Sequence, residues 1–507
     1  MLPEIPRRVK KVRLPQAGHA AAVPSFPAVP PESEPALGQR RLPRELKFGV
    51  ATAGFQIEGG YNGPGEPANN WSRWEAEGRV EPSGIALDFW NRYEDHLDRV
   101  AALGCDSFRM SIEWARIEPD EGRIDQPAVQ RYRQILQACR DRGLDPLVTL
   151  LHFTNPAWMG EELWLRPDSP ERFAGWAARA IDNFGDMCTN WVTINEINIL
   201  ALETYVTGTF PPARRGDLRS FLRATDNLLA AHVAAYERIH REQPGATVAT
   251  NNYSFSAYEL DRLGIDLLLS RMHSVERSEL TQWLEARRDA FLAHIPAAEG
   301  SLTAFAERSI RRRLARWVPL DRALPRTASA VQSSDSQRLL DVVQIDFYDP
   351  VVAHHLRAPG HRTAGGRNWG PARMLWDDPP SPANLAAYCA ASQEDGLDLW
   401  VVENGLCNRL RRGRSYRRLD GWSRTEYLRR NLGALAGAAS VGVPITGYWH
   451  WTLADNYEWG SYEPRFGIFG VDRERGLRWS DKDSMGEDAA GTYRDLVSTM
   501  RPRGDAS

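Results

Sequence analysis

Leu399-Trp400-Val401-Val402-Glu403-Asn404-Gly405 reads as a buried parallel strand that ends in a carboxylate, an amide and a glycine. The run is apolar and β-branched, with no polar face, as expected of a strand covered on both sides. Gly405 permits a tight turn. A carboxylate at the end of a buried strand is costly unless it is paired or used in chemistry. Trp191-Val192-Thr193-Ile194-Asn195-Glu196 repeats the pattern, an apolar strand followed by Asn and Glu. Either Glu alone would be read as a helix cap or an arginine partner. Two of them, at two strand ends, imply a site.

Six further β-runs accompany these two, at residues 48–53, 107–112, 145–151, 246–251, 342–347 and 445–451. Helical patterns lie between them at 87–103, 129–142, 169–188, 217–241, 383–394 and 423–439. Eight β-runs interleaved with helices predict an α/β fold, a single (β/α)8 TIM barrel with long loops over its C-terminal face. The barrel is expected over 44–500, between an N-terminal extension at 1–43 and a tail at 501–507. A long helical insertion occupies about 253–340. Its basic segment, 308–326, holds Arg311, Arg312, Arg313 and Arg316 beside Ile310, Leu314, Trp317 and Val318. A helix packed on the barrel with solvated arginines is the preferred reading there, over a lipid-facing surface.

The 507 residues are 42% hydrophobic and 25% charged, which is ordinary globular composition. A net charge of −3 supplies no global basic field for nucleic acid. Cys105, Cys139, Cys188, Cys389 and Cys407 are dispersed, with no CxxC and no metal spacing. They read as reduced thiols of a cytoplasmic protein. No apolar run reaches the roughly 18 residues of a membrane span. Residues 1–43 begin with Arg7, Arg8, Lys10, Lys11 and Arg13, then a Pro/Ala stretch without an apolar h-region. They are read as a flexible or surface-hugging extension, not a signal peptide. Eighteen tryptophans exceed ordinary usage. Most are expected in the core, some as platforms for a ligand.

In such barrels the site lies at the C-terminal strand ends. Gln56 and Glu58 follow the first strand; Arg109 lies in the second, with Glu113 and Trp114 just beyond it. His152 ends the third strand, Asn195 and Glu196 the fourth, Asp346 and Tyr348 the sixth, and Glu403 the seventh. Trp451 ends the eighth, and Glu458 and Trp459 follow. Hydrogen-bonding groups from so many strands, with indole faces among them, are what a pyranose requires. A pair of carboxylates is what glycoside hydrolysis requires.

Read together, these segments resemble glycoside hydrolase family 1, the β-glucosidase/β-galactosidase family, from about Phe48 to Val497. Gly49-Val50-Ala51-Thr52-Ala53-Gly54-Phe55-Gln56-Ile57-Glu58-Gly59 resembles the family's opening motif, and residues 109–119 its second-strand motif. Thr193-Ile194-Asn195-Glu196 resembles the acid/base motif and Glu403-Asn404-Gly405 the nucleophile motif. Asp455-Asn456-Tyr457-Glu458-Trp459 and Arg465-Phe466-Gly467 resemble the late sugar-binding segment. The resemblance implies Glu403 as nucleophile and Glu196 as general acid/base, with Arg109, Asp346 and Tyr348 supporting the nucleophile. It implies Gln56, His152, Asn195, Trp451, Glu458 and Trp459 as glycone-binding residues, Asn195 at the 2-hydroxyl. Phe466 would wall the same site, and Trp376 would be a platform on the aglycone side.

The chain departs from the family pattern at several positions. Ile197 follows the acid/base Glu where Pro is usual, and Val402 replaces a Thr before the nucleophile. Asp346 stands where the family has Asn, and Phe153 follows His152 where it has Trp. The segment between Trp459 and Phe466 is one residue short. An outlying branch is therefore expected. Glu458 argues against a 6-phospho-sugar, because a phosphate there would meet like charge.

The expected activity is hydrolysis of β-glucosides or related β-glycosides through a covalent glycosyl-enzyme intermediate. The aglycone is expected to be apolar, from Phe153, Phe347, Trp376 and the insertion's Trp283, Phe291, Phe305 and Trp317. A transglycosidase and a catalytically silent glycoside-binding protein are the alternatives. The expected partner is a small-molecule glycoside. No cofactor, metal or nucleic acid is expected, and a homo-oligomer is left open.

Overall fold

The computed structural model describes residues 46–295, 309, 312, 313, 318, 320, 322–348, 380–412, 414–418 and 420–501. The N-terminal extension, Ile310, Arg311, Leu314 and Arg316 of the basic segment 308–326, Phe305, Trp317, Trp376 and residues 502–507 lie outside these residues. The barrel strands are β1 (Lys47–Ala51), β2 (Ser107–Ser111), β3 (Asp145–Leu151), β4 (Asn190–Ile194), β5 (Thr247–Ala249), β6 (Asn251–Tyr253), β7 (Val342–Asp346) and β8 (Asp398–Asn404). After β9 (Asn408–Arg411) and β10 (Arg414–Tyr416), which form a hairpin, comes the last barrel strand, β11 (Ile445–Trp451).

All barrel pairings are parallel, in the order β5-β4-β3-β2-β1-β11-β8-β7-β6. Nine segments make eight staves. The fifth run, expected to be continuous over 246–251, is divided at Thr250: β5 pairs with β4, and β6 with β7. Thr250 turns its hydroxyl onto the Ile194 carbonyl at 2.7 Å, so the break is hydrogen-bonded and buried. The sheet is thus a nearly closed (β/α)8 barrel.

Past Val401, β8 carries one extra residue relative to both neighbours. Ile345 pairs with Val401 but Asp346 with Glu403; Tyr448 pairs with Val401 but His450 with Asn404. Val402 is the residue left over. A bulge of this kind re-aims the side chains that follow it. The Val402 carbonyl is taken by Arg109 Nη1 at 3.1 Å, inside the barrel.

Helices start where side chains satisfy their free N–H groups. Asp125 accepts from Ala128 N at 3.0 Å, and the helix runs Gln126–Asp141, earlier than the apolar pattern alone suggests. Asp217 caps Leu218–Glu242 and Ser423 caps Arg424–Ser440 in the same way. The insertion folds onto the barrel as helices Tyr258–Asp261, Leu263–Leu269, Leu280–His294 and Pro325–Ser333. Buried charges anchor it. Arg287 reaches Asp266 at 3.0 Å and Glu394 at 2.6 Å, and Arg262 reaches Asp266 at 2.8 Å. All five cysteines are buried, and none is in a disulfide. No helix among the described residues is long and apolar enough to cross a membrane.

Candidate active site

Glu403 is almost fully enclosed at the end of β8. Arg109 Nη1 donates to its Oε1 at 2.7 Å, and the Tyr348 hydroxyl to its Oε2 at 2.7 Å. Both carboxylate oxygens are held, which fixes the group's orientation and favours its ionised form. Burial raises the pKa of Glu403, and the Arg109 cation and the Tyr348 hydroxyl oppose that rise. Arg109 reaches this position because β2 places it facing inward with no exposed surface. Its remaining N–H groups go to Thr149 Oγ1 at 3.3 Å, to Asn195 Oδ1 and to the Val402 carbonyl.

Glu196 follows β4 in the left-handed region, at φ 40°, and opens the short helix Ile197–Leu202. A non-glycine residue there is strained by about 1–3 kcal/mol, and such strain gathers at working sites. Carboxylate oxygens of Glu196, Asp346 and Glu403 lie within 4.8 Å of one another. Burial, then the charges of Asp346 and Glu403, hold Glu196 well above the usual carboxylate range. Burial and the Glu403 charge do the same to Asp346. One ionised group backed by Arg109, facing a second group kept protonated, is the arrangement needed for a nucleophile and an acid.

Around the carboxylates the strand ends build a polar floor and an aromatic wall. Asn195 Oδ1 accepts from Arg109 and, at 2.9 Å, from Asn251 Nδ2. Asn195 Nδ2 donates to His152 Nε2 at 3.1 Å, which leaves His152 Nδ1 as the protonated nitrogen. Burial and Arg109 keep that ring neutral, well below the usual histidine pKa. The rings of Trp451 and Trp459 stack on His152, each with centroids 5.7 Å away. Gln56 Nε2 donates to Tyr457 O at 2.6 Å and to Glu458 Oε2 at 3.1 Å. Burial and the Glu403 charge push Glu458 up to about 8. Phe466 packs against Gly405 and meets the Tyr348 ring edge-on at 5.9 Å. Gln56 Oε1, His152 Nδ1 and Glu196 Oε1 are buried without a hydrogen-bond partner among the described residues. Such atoms are rare, and a ligand rich in hydroxyls can satisfy all three.

The chain matches the profile of glycosyl hydrolase family 1 over residues 38–499. It belongs to glycosyl hydrolase family 1. It is 28% identical to β-glucosidase 47 of Arabidopsis thaliana over 455 residues, 85% of this chain and 81% of that one. It is 26% identical to 6-phospho-β-galactosidase 1 of Streptococcus pneumoniae over 477 residues, 88% of this chain and 97% of that one. A structure of β-glucosidase from Thermotoga maritima in complex with glucoimidazole has the same fold. Its TM-score is 0.66 at 23% identity, over 92% of this chain and 100% of that one. The protein is a glycoside hydrolase.

Within this family 1 enzyme, several residues singled out from sequence are placed elsewhere. Glu58 pairs with Arg116 at 3.0 Å and accepts from the Tyr61 and Tyr132 hydroxyls. Glu113 accepts from Thr154 and Ser111, and burial raises it to about 7. Both brace the loop after β1 from behind. Trp114 stacks on Trp176 at 5.5 Å in the helical layer. Phe347 and Phe291 are core residues packed on Tyr388, and Trp283 lies beside His273 and Arg287. The two described aromatics of the insertion, Trp283 and Phe291, therefore pack it internally and onto the barrel helix that carries Tyr388. Phe153 does line the wall, with its ring 5.0 Å from Trp459 and 5.1 Å from Phe210.

Other site residues went unrecognised in the sequence. Asn251 bonds both Asn195 and Asp346. A polar residue ending the fifth β-run was the available signal. Tyr253 stacks on Tyr348 at 5.7 Å. Phe210 joins a cluster with Trp71, Phe153 and Trp459, and comes from a loop with no pattern to mark it. Among the described residues, Glu196, Asp346 and Glu403 are the acidic group close enough to share a cation. Arg109 already supplies positive charge at Glu403, so a cation there would face the guanidinium.

Proposed function

We propose that this enzyme hydrolyses β-glucosides or related unphosphorylated β-glycosides with retention of configuration. The observation that carries the reading is the approach of Glu196 and Glu403. Their carboxylate oxygens lie within 4.8 Å on two strand ends, which suits the roughly 5–5.5 Å carboxyl separation of retaining enzymes. Glu403 attacks the anomeric carbon while Glu196 gives its proton to the leaving oxygen. A covalent glycosyl ester on Glu403 results. Glu196 then takes a proton from water, which cleaves the ester and returns Glu403 to its carboxylate. Arg109 and Tyr348 hold the nucleophile ionised and oriented. Asn195, His152, Gln56 and Glu458 receive the sugar hydroxyls, and Trp451 and Trp459 its C–H faces.

Glu458 supports an unphosphorylated glycone. It is a buried carboxyl paired with the Gln56 amide. A phosphate dianion there would meet an acid that loses its proton at about pH 8, with no ion-paired cation on it among the described residues. The apolar aglycone expected from the sequence is not carried into this reading, because Phe291 and Phe347 belong to the core. A silent binding protein would have no use for a nucleophile held at both oxygens.

The test is a 2-deoxy-2-fluoro-β-glycoside bearing a good leaving group. It should inactivate the enzyme with one equivalent of label, and peptide mapping should find that label on Glu403. An NMR time course on an aryl β-glucoside should show the β-anomer first. Label on another residue, or the α-anomer first, overturns the reading.

A further inference from the structure

Asp346 ends β7 where the family resemblance calls for an asparagine. Its carboxyl is fully buried, with an oxygen within 4.8 Å of a carboxylate oxygen of Glu196. Two bare carboxylates this close and this buried repel each other and have no donor to offer, which favours one proton held between them. The surroundings agree. Asn251 Nδ2 donates to Asp346 Oδ2 and orients the group. Asp346 Oδ1 and Glu196 Oε1 receive no N–H or O–H from the described residues. Arg109 directs its hydrogen bonds to Glu403, Asn195, Thr149 and the Val402 carbonyl, and to neither of these two. Among the described residues, the other titratable groups beside the pair include Glu403 on β8, Tyr348 after β7, Tyr253 on β6 across from Asp346, and His152, which is linked to it through Asn195.

We propose that Glu196 and Asp346 hold one proton jointly. Asp346 is a positioning residue that keeps this proton ready for the leaving group while Glu403 is ionised. The inference rests on the retaining reading above and extends it. In the first step Glu403 bonds to the anomeric carbon, the bond to the leaving oxygen breaks, and the shared proton goes to that oxygen. Glu403 is then an uncharged ester, and the pair carries two negative charges. Their repulsion makes Glu196 a stronger base toward water. In the second step the water oxygen bonds to the anomeric carbon, the ester bond breaks, and the water proton returns to the pair. Glu403 is again a carboxylate.

The experiment is Asp346→Asn, near-isosteric, with circular dichroism as a fold control. Losing the proton from the wild-type pair creates two adjacent negative charges; losing it from Glu196 beside the neutral amide of the variant creates one. The alkaline limb of kcat/KM, on a substrate with a poor leaving group, should therefore move to lower pH by about one unit or more. On a dinitrophenyl glycoside, whose turnover is limited by hydrolysis of the ester, kcat should fall severalfold. Neither change follows if Asp346 only fills space. Infrared difference spectra of wild type against Glu196→Gln give a measure independent of that variant. They should show a carboxylic-acid stretch that persists up to the wild-type alkaline limb. An unmoved limb in an active variant, or no such band, overturns the shared proton. The fluoro-glycoside label and the NMR time course separate the two ideas, because a label away from Glu403 or the α-anomer first removes the retaining reading itself.

Discussion

At Arg109, one guanidinium serves Glu403, Asn195, Thr149 and a backbone carbonyl at once. Arg109→Met would leave Glu403 buried without its cation. Removing one partner of a buried ion pair typically costs about 3–5 kcal/mol. The sign for catalysis follows from the same contact. The cation lowers the nucleophile's pKa, so its loss raises that pKa, and the acid limb of the pH–rate profile should move to higher pH. Activity at pH 6 should fall more than activity at pH 8. A uniform loss with an unmoved limb would contradict this role. Glu196→Ala should act differently. Activated substrates should be slowed little in the first step, and poor leaving groups by about 10²–10⁴-fold. Added azide should restore turnover and yield a β-glycosyl azide, detectable by mass spectrometry. If both substrate types fall equally and azide has no effect, Glu196 is not the acid.

Among the elements, β8 and the insertion make separate demands. Gly405 leaves β8 so close to β11 that a Cβ would overlap the Trp451 carbonyl oxygen and press on Phe466. Gly405→Ala should cost about 1–3 kcal/mol through overpacking, and should also displace the nucleophile just before it. A lowered melting temperature with kcat/KM reduced at least as much as in an unrelated variant of equal stability is the expected result. In the insertion, Arg287 joins Asp266 and Glu394 away from solvent. Each carboxylate keeps a second partner, Arg262 for one and His273 for the other. Arg287→Met should therefore lie near the lower end of the buried-pair range, about 3 kcal/mol, in urea unfolding. An unchanged urea midpoint would show that the anchor contributes nothing.

For the whole molecule, buried carboxyls set how stability varies with pH. Burial raises Asp261 to about 8, although Phe255 N and the Tyr388 hydroxyl donate to it at 2.9 Å. Unfolded, the group would titrate near 3.9. The folded state thus binds the proton more tightly, and stability is lost as pH rises from about 4 through about 8. Glu458, also at about 8, and Glu113, at about 7, act in the same direction. His96 and His232, lowered by burial to about 3 and about 4, act oppositely, but only below the ordinary histidine range. Above pH 7 the histidines no longer contribute. The carboxyls act together with the buried thiols of Cys105, Cys139, Cys188 and Cys389, whose pKa burial also raises, and the melting temperature should fall between pH 7 and pH 8.5. Asp261→Asn keeps the acceptor and removes the titration, so its fall should be smaller. Parallel curves for wild type and variant would rule out Asp261 as a contributor.

How far the sequence reached depends on whether a signal was local. Residues 399–405 and 191–196 announced two buried strands ending in carboxylates, since burial on both faces demands an unbroken apolar run. Alternating helical patterns then set the number of staves, and capping residues such as Asp125 and Ser423 shifted helix ends by only a few residues. Other features depended on residues far apart in the chain. The break at Thr250 has no local sign, because it exists to let one stave pair with β4 on one side and β7 on the other. The extra residue at Val402 likewise appears only against β7 and β11. Glu58 and Glu113 looked like sugar ligands at strand ends until Arg116, Tyr132 and Thr154 were seen to claim them. Asp346 was readable as an unexpected charge. Which group answers that charge was decided only by the fold, which brings Glu196, Glu403 and Arg109 from three other strands into one buried space where charge cannot be screened by water.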